Sequence, residues 1–535
     1  ALWVRGLMLA LLSVSLVALF TQYAHAQVRF AKTYRGPDSD QASSVQQTTD
    51  GGYIVAGYTR SFGAGNFDIL LIKTDASGNI QWAKTYGGTS GDFAYSVQQT
   101  SDGGYILTGY THSFGAGGKD IFLIKTDANG NLEWAKTYGG IRWDEAFSVQ
   151  QTSDGGYILA GYTEYLGAGN ADFFLIKTDA NGNLEWAKIY GGTAWDEARS
   201  VQQTSDGGYI VAGYAHSFGA GGRDVFLVKT DADGNLEWAK TYGGTGHEWA
   251  SSVQQTSDGG YIVAGRTGSF GAGLDDVFLI KTYANGDLEW AKTYGGTNWD
   301  HAFSVQQTSD YGYIVAGWTL SFGAVGYDAF LVKTDANGNV QWAKIYGGTS
   351  VDFASSVQKT SDGGYIVAGE TRSFGAGNWP DLFLIKTDVN GNISSLCDIV
   401  RNASPTVNTH THLVTVNTHF PTVLPVIPTV ITVTSPPLTV TSPDLNINAP
   451  CPLSDDNELG ISESCKPASG IITQYKGGIK VSGSGEFEVK VYNVSGGVVK
   501  SARGKDEVKL ELSRGVYFVE VVSGGKVLRE KVVIR

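Results

Sequence analysis

Hydrophobic and polar positions along the chain repeat with a period of 52 residues. In the second unit, one apolar run includes Ile106 and Leu107, and a second run covers residues 121–124. Turns rich in Gly, several of them Asn-Gly, separate such runs, and Asn-Gly between extended segments is typical of a β-hairpin because both turn residues need a positive φ. Residues 121–124 are apolar at every position, which predicts a strand covered on both faces. The pattern therefore predicts four short strands in each unit.

The phrase Trp-Ala-Lys-Thr-Tyr, or a close variant of it, ends each unit and allows the units to be counted. Its tryptophans are Trp82, Trp134, Trp186, Trp238, Trp290 and Trp342. One period before Trp82 the chain reads Phe-Ala-Lys-Thr-Tyr from Phe30, whereas after Trp342 the equivalent strand is missing and Ile393 begins an unrelated sequence. A solenoid would end in capping repeats, but a closed ring needs this offset if its last blade takes a strand from the N-terminus. We therefore predict an all-β fold, a seven-bladed β-propeller over residues 27–393 that an N-terminal strand closes.

The words that recur in every blade resemble a known repeat. They are Tyr-Gly-Gly-x-x-x-Asp, Asp-Gly-Gly-Tyr-Ile-Val-Ala-Gly-Tyr-Thr and Asp-x-Phe-Leu-Ile-Lys-Thr-Asp-x-x-Gly-Asn. Together they are similar to the SBBP-type β-propeller repeat of bacteria and archaea, across the whole of residues 27–393. That resemblance implies an exported or surface protein, in a family whose functions are mostly unassigned.

Both ends of the chain indicate export. Arg5, an apolar run over residues 7–20 and Ala-His-Ala ending at Ala26 predict a signal peptide over residues 1–26. No other apolar stretch is long enough to cross a bilayer, so we expect no transmembrane segment in the mature chain. Residues 467–535 alternate as strands and predict a small β-sandwich. Two motifs in this region resemble the type A C-terminal sorting domain of the type IX secretion system. They are Val-Lys-Val-Tyr-Asn-Val-Ser-Gly, from Val489, and Lys-Val-Val-Ile, from Lys531. This resemblance implies recognition by the secretion machinery and a secreted or cell-surface location.

Composition changes between the two folded regions. Residues 394–466 are rich in Thr, Val and Pro, which predicts an extended linker. All three cysteines, Cys397, Cys451 and Cys465, lie in this segment, and an odd number in an exported chain suggests one disulfide and one spare thiol. Cys397 and Cys451 are our candidate pair because they flank the Thr/Val/Pro-rich stretch; a shorter loop from Cys451 to Cys465 is the alternative.

Charge narrows the possible partners. The chain carries a net charge of −13, and Lys and Arg outnumber Asp and Glu from Pro467 onward, so the acidic excess lies in the repeats. Such a surface argues against nucleic acid as a partner.

The candidate ligand-binding residues lie in the loops that follow the second and fourth strand of each blade. Four antiparallel strands place these loops on one face of the ring, and here the units differ most, as binding loops on a rigid scaffold do. Our candidate ligand-binding residues are Trp143, Trp195, Trp299, Asp144, Asp196, Asp300, His112, His216 and His247. Indoles beside carboxylates can stack on sugar rings or hold an aromatic side chain of a partner. We therefore predict a non-catalytic propeller that presents this face to an extracellular glycan or a surface protein.

Other interpretations remain open. The aspartates that recur in every blade could bind Ca²⁺, the one cofactor we consider, or could cap their own loops. The tryptophans could bind ligand or cover the loop beneath them. Carboxylate pairs assisted by histidine would suit a polysaccharide hydrolase or lyase, although the sequence singles out no pair. A structural component of the cell envelope is a third possibility.

Overall fold

The computed structural model describes residues 28–393, apart from 168, 324–325 and 375–378, and beyond residue 393 only the strands whose bounds are given below. The chain divides into two compact units, Ala1–Asp456 and Asn457–Arg535. The proposed signal peptide and all three cysteines lie outside the described residues, so the cleavage and the Cys397–Cys451 disulfide stay predictions.

Seven antiparallel four-stranded blades form the first unit, in the order of the chain. β1 (Phe30–Arg35) is the outer strand of blade 7. Blade 1 contains β2 (Asp40–Gln47), β3 (Tyr53–Thr59), β4 (Asp68–Thr74) and β5 (Ile80–Gly87). Blade 2 contains β6 (Asp92–Gln99), β7 (Tyr105–Thr111), β8 (Asp120–Thr126) and β9 (Leu132–Gly139). Blade 3 contains β10 (Asp144–Gln151), β11 (Tyr157–Thr163), β12 (Asp172–Thr178) and β13 (Leu184–Gly191). Blade 4 contains β14 (Asp196–Gln203), β15 (Tyr209–Ala215), β16 (Asp224–Thr230) and β17 (Leu236–Gly243).

The remaining blades repeat the same arrangement. Blade 5 contains β18 (Glu248–Gln255), β19 (Tyr261–Thr267), β20 (Asp276–Thr282) and β21 (Leu288–Gly295). Blade 6 contains β22 (Asp300–Gln307), β23 (Tyr313–Thr319), β24 (Asp328–Thr334) and β25 (Val340–Tyr346). Blade 7 contains β26 (Asp352–Lys359), β27 (Tyr365–Thr371) and β28 (Asp381–Thr387) in addition to β1. The fold is the predicted seven-bladed propeller.

The burial of each strand explains the pattern of apolar residues in its sequence. Every residue of β8 is buried, as the unbroken apolar run predicted, because the neighbouring blades cover both faces of this strand. The hairpin that follows β8 has Gly130 at a φ of +71°, and its N–H donates to the carbonyl of Asp127 at 3.1 Å. A residue with a Cβ is strained at that φ, which explains the glycine of the Asn-Gly turn.

The repeated Trp-Ala-Lys-Thr-Tyr phrase joins each blade to the next. Tyr86 at the end of blade 1 donates its hydroxyl proton to the carbonyl of Gly130 in blade 2 at 2.7 Å, and the equivalent bond occurs at every blade junction. Trp82 packs against Tyr105 of blade 2, with ring centres 5.8 Å apart. The repeated phrase therefore stabilises the junctions between blades.

Ring closure follows the predicted offset. β1 pairs with β28 in antiparallel register, with Phe30 opposite Lys386. Tyr34 then makes the standard junction bond to Gly78 of blade 1, at 2.6 Å. On the inner strands the backbone N–H of Gln47 donates to Gln358 Oε1 at 2.5 Å, as equivalent glutamines do between other blades. Blades 7 and 1 are thus joined like any other pair.

Residues 400–448 add a fifth strand to the outer edge of every blade. These strands, which we call the belt, are β29 (Val400–Asn402) on β25, β30 (Thr406–Thr409) on β21, β31 (Thr415–His419) on β17, β32 (Thr422–Pro425) on β13, β33 (Thr432–Thr434) on β9, β34 (Thr439–Thr441) on β5 and β35 (Asn446–Asn448) on β1. The belt passes the blades in reverse order, from blade 6 down to blade 1 and then blade 7. We expected an extended linker here; the strands pair instead because each outer edge offers unpaired N–H and C=O groups to a segment rich in Thr and Val.

The second unit is one antiparallel sheet of five strands. They are β36 (Ile471–Tyr475), β37 (Gly478–Asn493), β38 (Val498–Glu511), β39 (Gly515–Ser523) and β40 (Lys526–Ile534). β37 is a continuous strand with a register shift between Ser482 and Glu486. Val489 and Val491 on β37 are fully buried.

Candidate functional site

The central channel of the propeller widens on the face that carries the variable loops. The first strands of all seven blades line the channel, and at the opposite end a ring of valines and glutamines, such as Val45 and Gln46, narrows it. At the variable face the channel opens into a cavity of about 640 Å³, which we call the funnel. Its volume falls within the roughly 300–1,000 Å³ of typical small-molecule sites.

Aromatic and basic side chains dominate the wall of the funnel. Its aromatic residues are Tyr95, Phe147, Tyr214, Trp249, Phe303 and Trp318, and its arginines are Arg199, Arg223 and Arg266. The arginines come from blades 4 and 5, whereas blades 7 and 1 contribute the small residues Ser355 and Ser43. The funnel therefore has a basic, bulky side and an opposite side lined by small residues.

Stacking on aromatic rings positions the three guanidinium groups. Trp249 lies beside two of them: the guanidinium carbon of Arg266 is 3.7 Å from a Trp249 ring centre, and that of Arg223 is 5.0 Å from one. The guanidinium carbon of Arg199 lies 4.0 Å from the centre of the Phe147 ring. Such contacts hold a planar cation by its face and leave its N–H edge available.

Two carboxylates partly balance this charge. Glu197 pairs with Arg199 and also accepts hydrogen bonds from the Tyr214 hydroxyl at 2.5 Å and from Trp195 Nε1 at 3.1 Å. Asp275 lies 3.4 Å from Arg266 and 3.2 Å from His301 Nε2. With three arginines against two acids, the basic side of the funnel keeps a positive excess.

The protonation states follow from burial and from the neighbouring charges. Burial, together with the nearby Arg266, lowers the pKa of His301, although Asp275 opposes the shift. The pKa of His216 is also lowered, by burial and by Arg223, whose Nε donates to His216 Nε2. Both imidazoles are therefore neutral at pH 7. The pKa of Arg266 is itself lowered, by burial and by the like charges of Arg223 and Arg199, against the attraction of Asp275.

Three of the nine predicted site residues border the basic side of the funnel. Trp195 is linked to the basic side by its hydrogen bond to Glu197. His216 and His247 are exposed neighbours with ring centres 6.4 Å apart, and His247 lies 5.6 Å from the Trp249 ring. The variable loops of blades 4 and 5 therefore extend the funnel wall.

The other predicted aromatic residues lie elsewhere on the same face. Trp143 is 46% exposed, and Lys119 Nζ lies 4.8 Å from a Trp143 ring centre while it pairs with Glu145 at 2.5 Å. His112 is exposed in the preceding blade, on the same side as this Lys119 cluster. Trp299 is 41% exposed on the loop before β22.

The predicted aspartates lie beneath the loops. Asp144, Asp196 and Asp300 are at most 3% exposed. Asp144 and Asp196 each accept a backbone N–H four residues upstream, from Gly140 and Gly192 at 2.8 Å, and Asp300 accepts the equivalent bond at 2.9 Å. These contacts agree with the loop-capping interpretation, and they leave the three carboxylates turned away from solvent.

The sequence reasoning missed the three arginines of the funnel, although a signal exists for Arg199 and Arg266. Three positions of the repeat vary among polar, charged and aromatic residues inside strands that are otherwise nearly constant. In the first strand of each blade, one column reads Gln41, Phe93, Glu145, Glu197, Trp249, His301 and Phe353, and another reads Ser43, Tyr95, Phe147, Arg199, Ser251, Phe303 and Ser355. In the second strand, the third column reads Tyr58, Tyr110, Tyr162, Tyr214, Arg266, Trp318 and Glu370. Variation at one strand position, among constant neighbours, indicates side chains that face the channel and not the next blade.

Among the described residues, no group of three or more His, Cys, Asp or Glu side chains is placed to hold a metal ion, so the Ca²⁺ expectation stays a prediction. The described part of the chain contains no helix with the length and apolar character needed to span a membrane.

Comparison with known families bears on both units. Residues 467–535 match the secretion system C-terminal sorting domain, which confirms the resemblance seen in the sequence. The protein is therefore secreted or held at the cell surface. Residues 204–237 match a β-propeller domain of unknown function, DUF5122, which is compatible with the SBBP-type repeat.

Similar proteins cover the chain only in part. A stretch of 228 residues is 27% identical to the regulatory protein FlaEY of Caulobacter vibrioides, and it spans 37% of this chain but only 24% of that protein. The crystal structure of Sqt1 from Chaetomium thermophilum matches with a TM-score of 0.36 and 10% identity over 64% of this chain and 82% of the Sqt1 chain.

Proposed function

We propose that the protein is a non-catalytic binding protein that holds an extracellular glycan in its funnel. The observation that carries the proposal is the ring of aromatic side chains around an open cavity on the variable face. Its sorting domain brings this cavity to the outside of the cell, where glycans are abundant ligands.

The chemistry of the funnel suits a sugar. Pyranose rings have apolar C–H faces that stack on aromatic side chains, and their hydroxyls accept hydrogen bonds from arginine. Phe303 is 39% exposed, and Trp249 and Trp318 are half-buried, so their rings are accessible from the cavity. The propeller holds these rings on strands, and a rigid site loses little entropy on binding.

The same contacts favour binding over hydrolysis. A glycosidase needs two carboxyl groups that flank the scissile bond, roughly 5–10 Å apart. On the basic side of the funnel, Glu197 is engaged by Arg199, Tyr214 and Trp195, and Asp275 is engaged by Arg266 and His301. A surface protein as ligand is the alternative retained from the sequence.

A glycan array probed with the full chain tests the proposal. We expect Trp249→Ala and Phe303→Ala to weaken the retained glycan by about 1 kcal/mol each, or roughly fivefold, because each removes one stacking ring. Trp143→Ala and Trp299→Ala separate the outer loops from the funnel, and Tyr311→Ala, in the exposed turn after β22 on the opposite face, is the matched control.

The outcomes distinguish the three functions. Binding that is weakened in the funnel variants and unchanged in Tyr311→Ala supports the proposal. Release of shorter saccharides by the full chain would support the hydrolase or lyase alternative. Retention of no glycan at all would contradict the proposal and favour a protein ligand or a structural role.

A further inference from the structure

We propose that the glycan is anionic, and that Arg199, Arg223 and Arg266 bind its carboxylate or sulfate groups. This inference rests on the function proposed above and specifies its ligand. It follows from three features of the funnel: the fixed orientation of the guanidinium groups, their excess over the acids, and the pairing of Arg223.

Orientation is the first feature. The guanidinium carbons of Arg266 and Arg199 lie 3.7 and 4.0 Å from the ring centres of Trp249 and Phe147, a separation that suits face-to-face stacking, and that of Arg223 lies 5.0 Å from a Trp249 ring centre. The N–H donors of a guanidinium lie in its plane, so stacking directs them sideways. An oxyanion accepts two such N–H groups at once, in a geometry that a neutral hydroxyl cannot match.

Charge is the second feature. The whole chain has a net charge of −13, yet three arginines converge on one cavity with Glu197 and Asp275 as their acidic neighbours. Gathering like charges in a half-buried cavity is unfavourable until an anion enters. His216 and His301 are neutral at pH 7, so they add no charge and can serve as hydrogen-bonding neighbours.

The third feature is the pairing of Arg223. In the part of the chain that the structure describes, no carboxylate forms an ion pair with Arg223; its Nε donates to the neutral His216 instead. Arg199 and Arg266 each share an acid with a second donor. Arg223 is therefore the cation whose remaining N–H groups are most available to a ligand.

The test is an array that carries each acidic glycan beside its carboxyl-reduced or desulfated form, followed by calorimetry on the best pair. We expect the full chain to prefer the acidic member, and Arg223→Gln to weaken that binding by roughly ten- to a hundredfold, as loss of a charge-assisted bond does. Arg223→Lys keeps the charge but not the planar fork, so we expect an intermediate loss. Arg142→Gln, an exposed arginine on the same face outside the funnel, makes the same charge change and should bind like the unaltered chain.

The results distinguish a failure of this inference from a failure of the proposed glycan binding. Preference for carboxylated over sulfated glycans, or the reverse, identifies the source of the anion. Equal binding of the acidic and neutral forms, with no effect of Arg223→Gln in a chain that melts normally, overturns the inference and leaves glycan binding standing. Binding of no saccharide overturns both. Binding of an acidic peptide such as hexaglutamate, with no glycan retained, overturns the assignment to a sugar.

Discussion

Acidic side chains face each other at the junctions between blades. Between blades 2 and 3 these are Asp120 and Asp144, which are 1% and 3% exposed. Burial, and the charge of Asp120 nearby, raise the pKa of Asp144 to about 7, and burial raises the pKa of Asp120 to about 6. The pKa values of Asp224 and Asp276 at two later junctions are raised to about 6 by burial and by their acidic neighbours. These carboxyls thus prefer the protonated form in the folded ring.

The raised pKa values predict that mild acid stabilises the propeller. A carboxyl has a pKa near 4 in the unfolded chain, so the folded state binds more protons between about pH 4 and pH 7. The resulting stability is fully present below about pH 4 and is lost as the pH rises through 6 to 7. We expect the full chain to melt at a higher temperature at pH 5 than at pH 8, and Asp144→Asn to reduce that difference, as measured by calorimetry.

Blade 3 supplies a control for this experiment. Asp154 is held by Thr152 and by Lys177 at 2.9 Å, and these partners lower its pKa to about 2 against a burial effect that would raise it. It stays ionised from pH 5 to pH 8, so Asp154→Asn should shift the melting temperature equally at both values. His216 and His301, whose pKa values are lowered, act in the opposite direction below about pH 6.5, but neither variant alters them. A higher melting temperature in Ca²⁺ at pH 8 would favour the cation interpretation of the aspartates.

What the sequence reveals about single residues depends on whether they repeat. Tyr86 and Trp82 recur because every blade needs the same junction, and their repetition was enough to assign them to the architecture. Asp144 recurs as well, yet the sequence left it a candidate ligand-binding residue, because a carboxylate on a loop can bind a ligand or cap that loop. Arg223 and Arg266 are unlike their counterparts in other blades, so no motif includes them. Their convergence is a property of the closed ring, which brings blades 4 and 5 to one cavity and stacks both guanidinium groups on Trp249.

At the scale of elements, the belt covers the outer strand edges that the repeats leave unpaired. A propeller blade exposes the outer edge of its fourth strand, and unpaired strand edges promote association between chains. Each belt strand pairs with one of these edges, for example β31 with β17 from Ala239 to Gly243. The sequence indicates a repeating segment here, because Thr-Val-Asn-Thr-His occurs at Thr406 and again at Thr415. Composition alone predicted an extended linker. The spacing between the echoes matches successive blades.

Removal of the belt should therefore expose the blade edges. We expect residues 27–393 to aggregate and to melt at a lower temperature than residues 27–456, since only the longer chain retains β29 to β35. Light scattering and calorimetry at equal concentration measure both effects. Both chains lack the sorting domain, so a difference between them reports on residues 394–456 alone; equal behaviour would mean that the belt contributes nothing to the ring.

At the scale of the whole molecule, our proposal gives the two units separate roles: the propeller binds a ligand, and the second unit directs secretion. The propeller carries the funnel, and its match to a family of unknown function leaves the ligand to be argued from the site. The second unit matches a sorting domain and is the part that implies contact with the secretion machinery. Recognition by that machinery should depend on the folded sheet of the second unit, because its strands provide the fixed surface that a partner can bind.

This dependence can be tested with one charge placed inside or outside the sheet. Val491 on β37 is fully buried, so Val491→Asp forces an unpaired carboxylate into an apolar interior, at a cost of several kcal/mol. Val499 on β38 is 44% exposed, and Val499→Asp makes the same chemical change in solvent. In a bacterium that carries the type IX secretion system, we expect Val499→Asp to reach the cell surface and Val491→Asp to stay inside the outer membrane, as judged by protease treatment of intact cells. Normal melting of the propeller in both variants would confine the defect to the sorting domain, whereas surface display of Val491→Asp would show that export does not require this sheet.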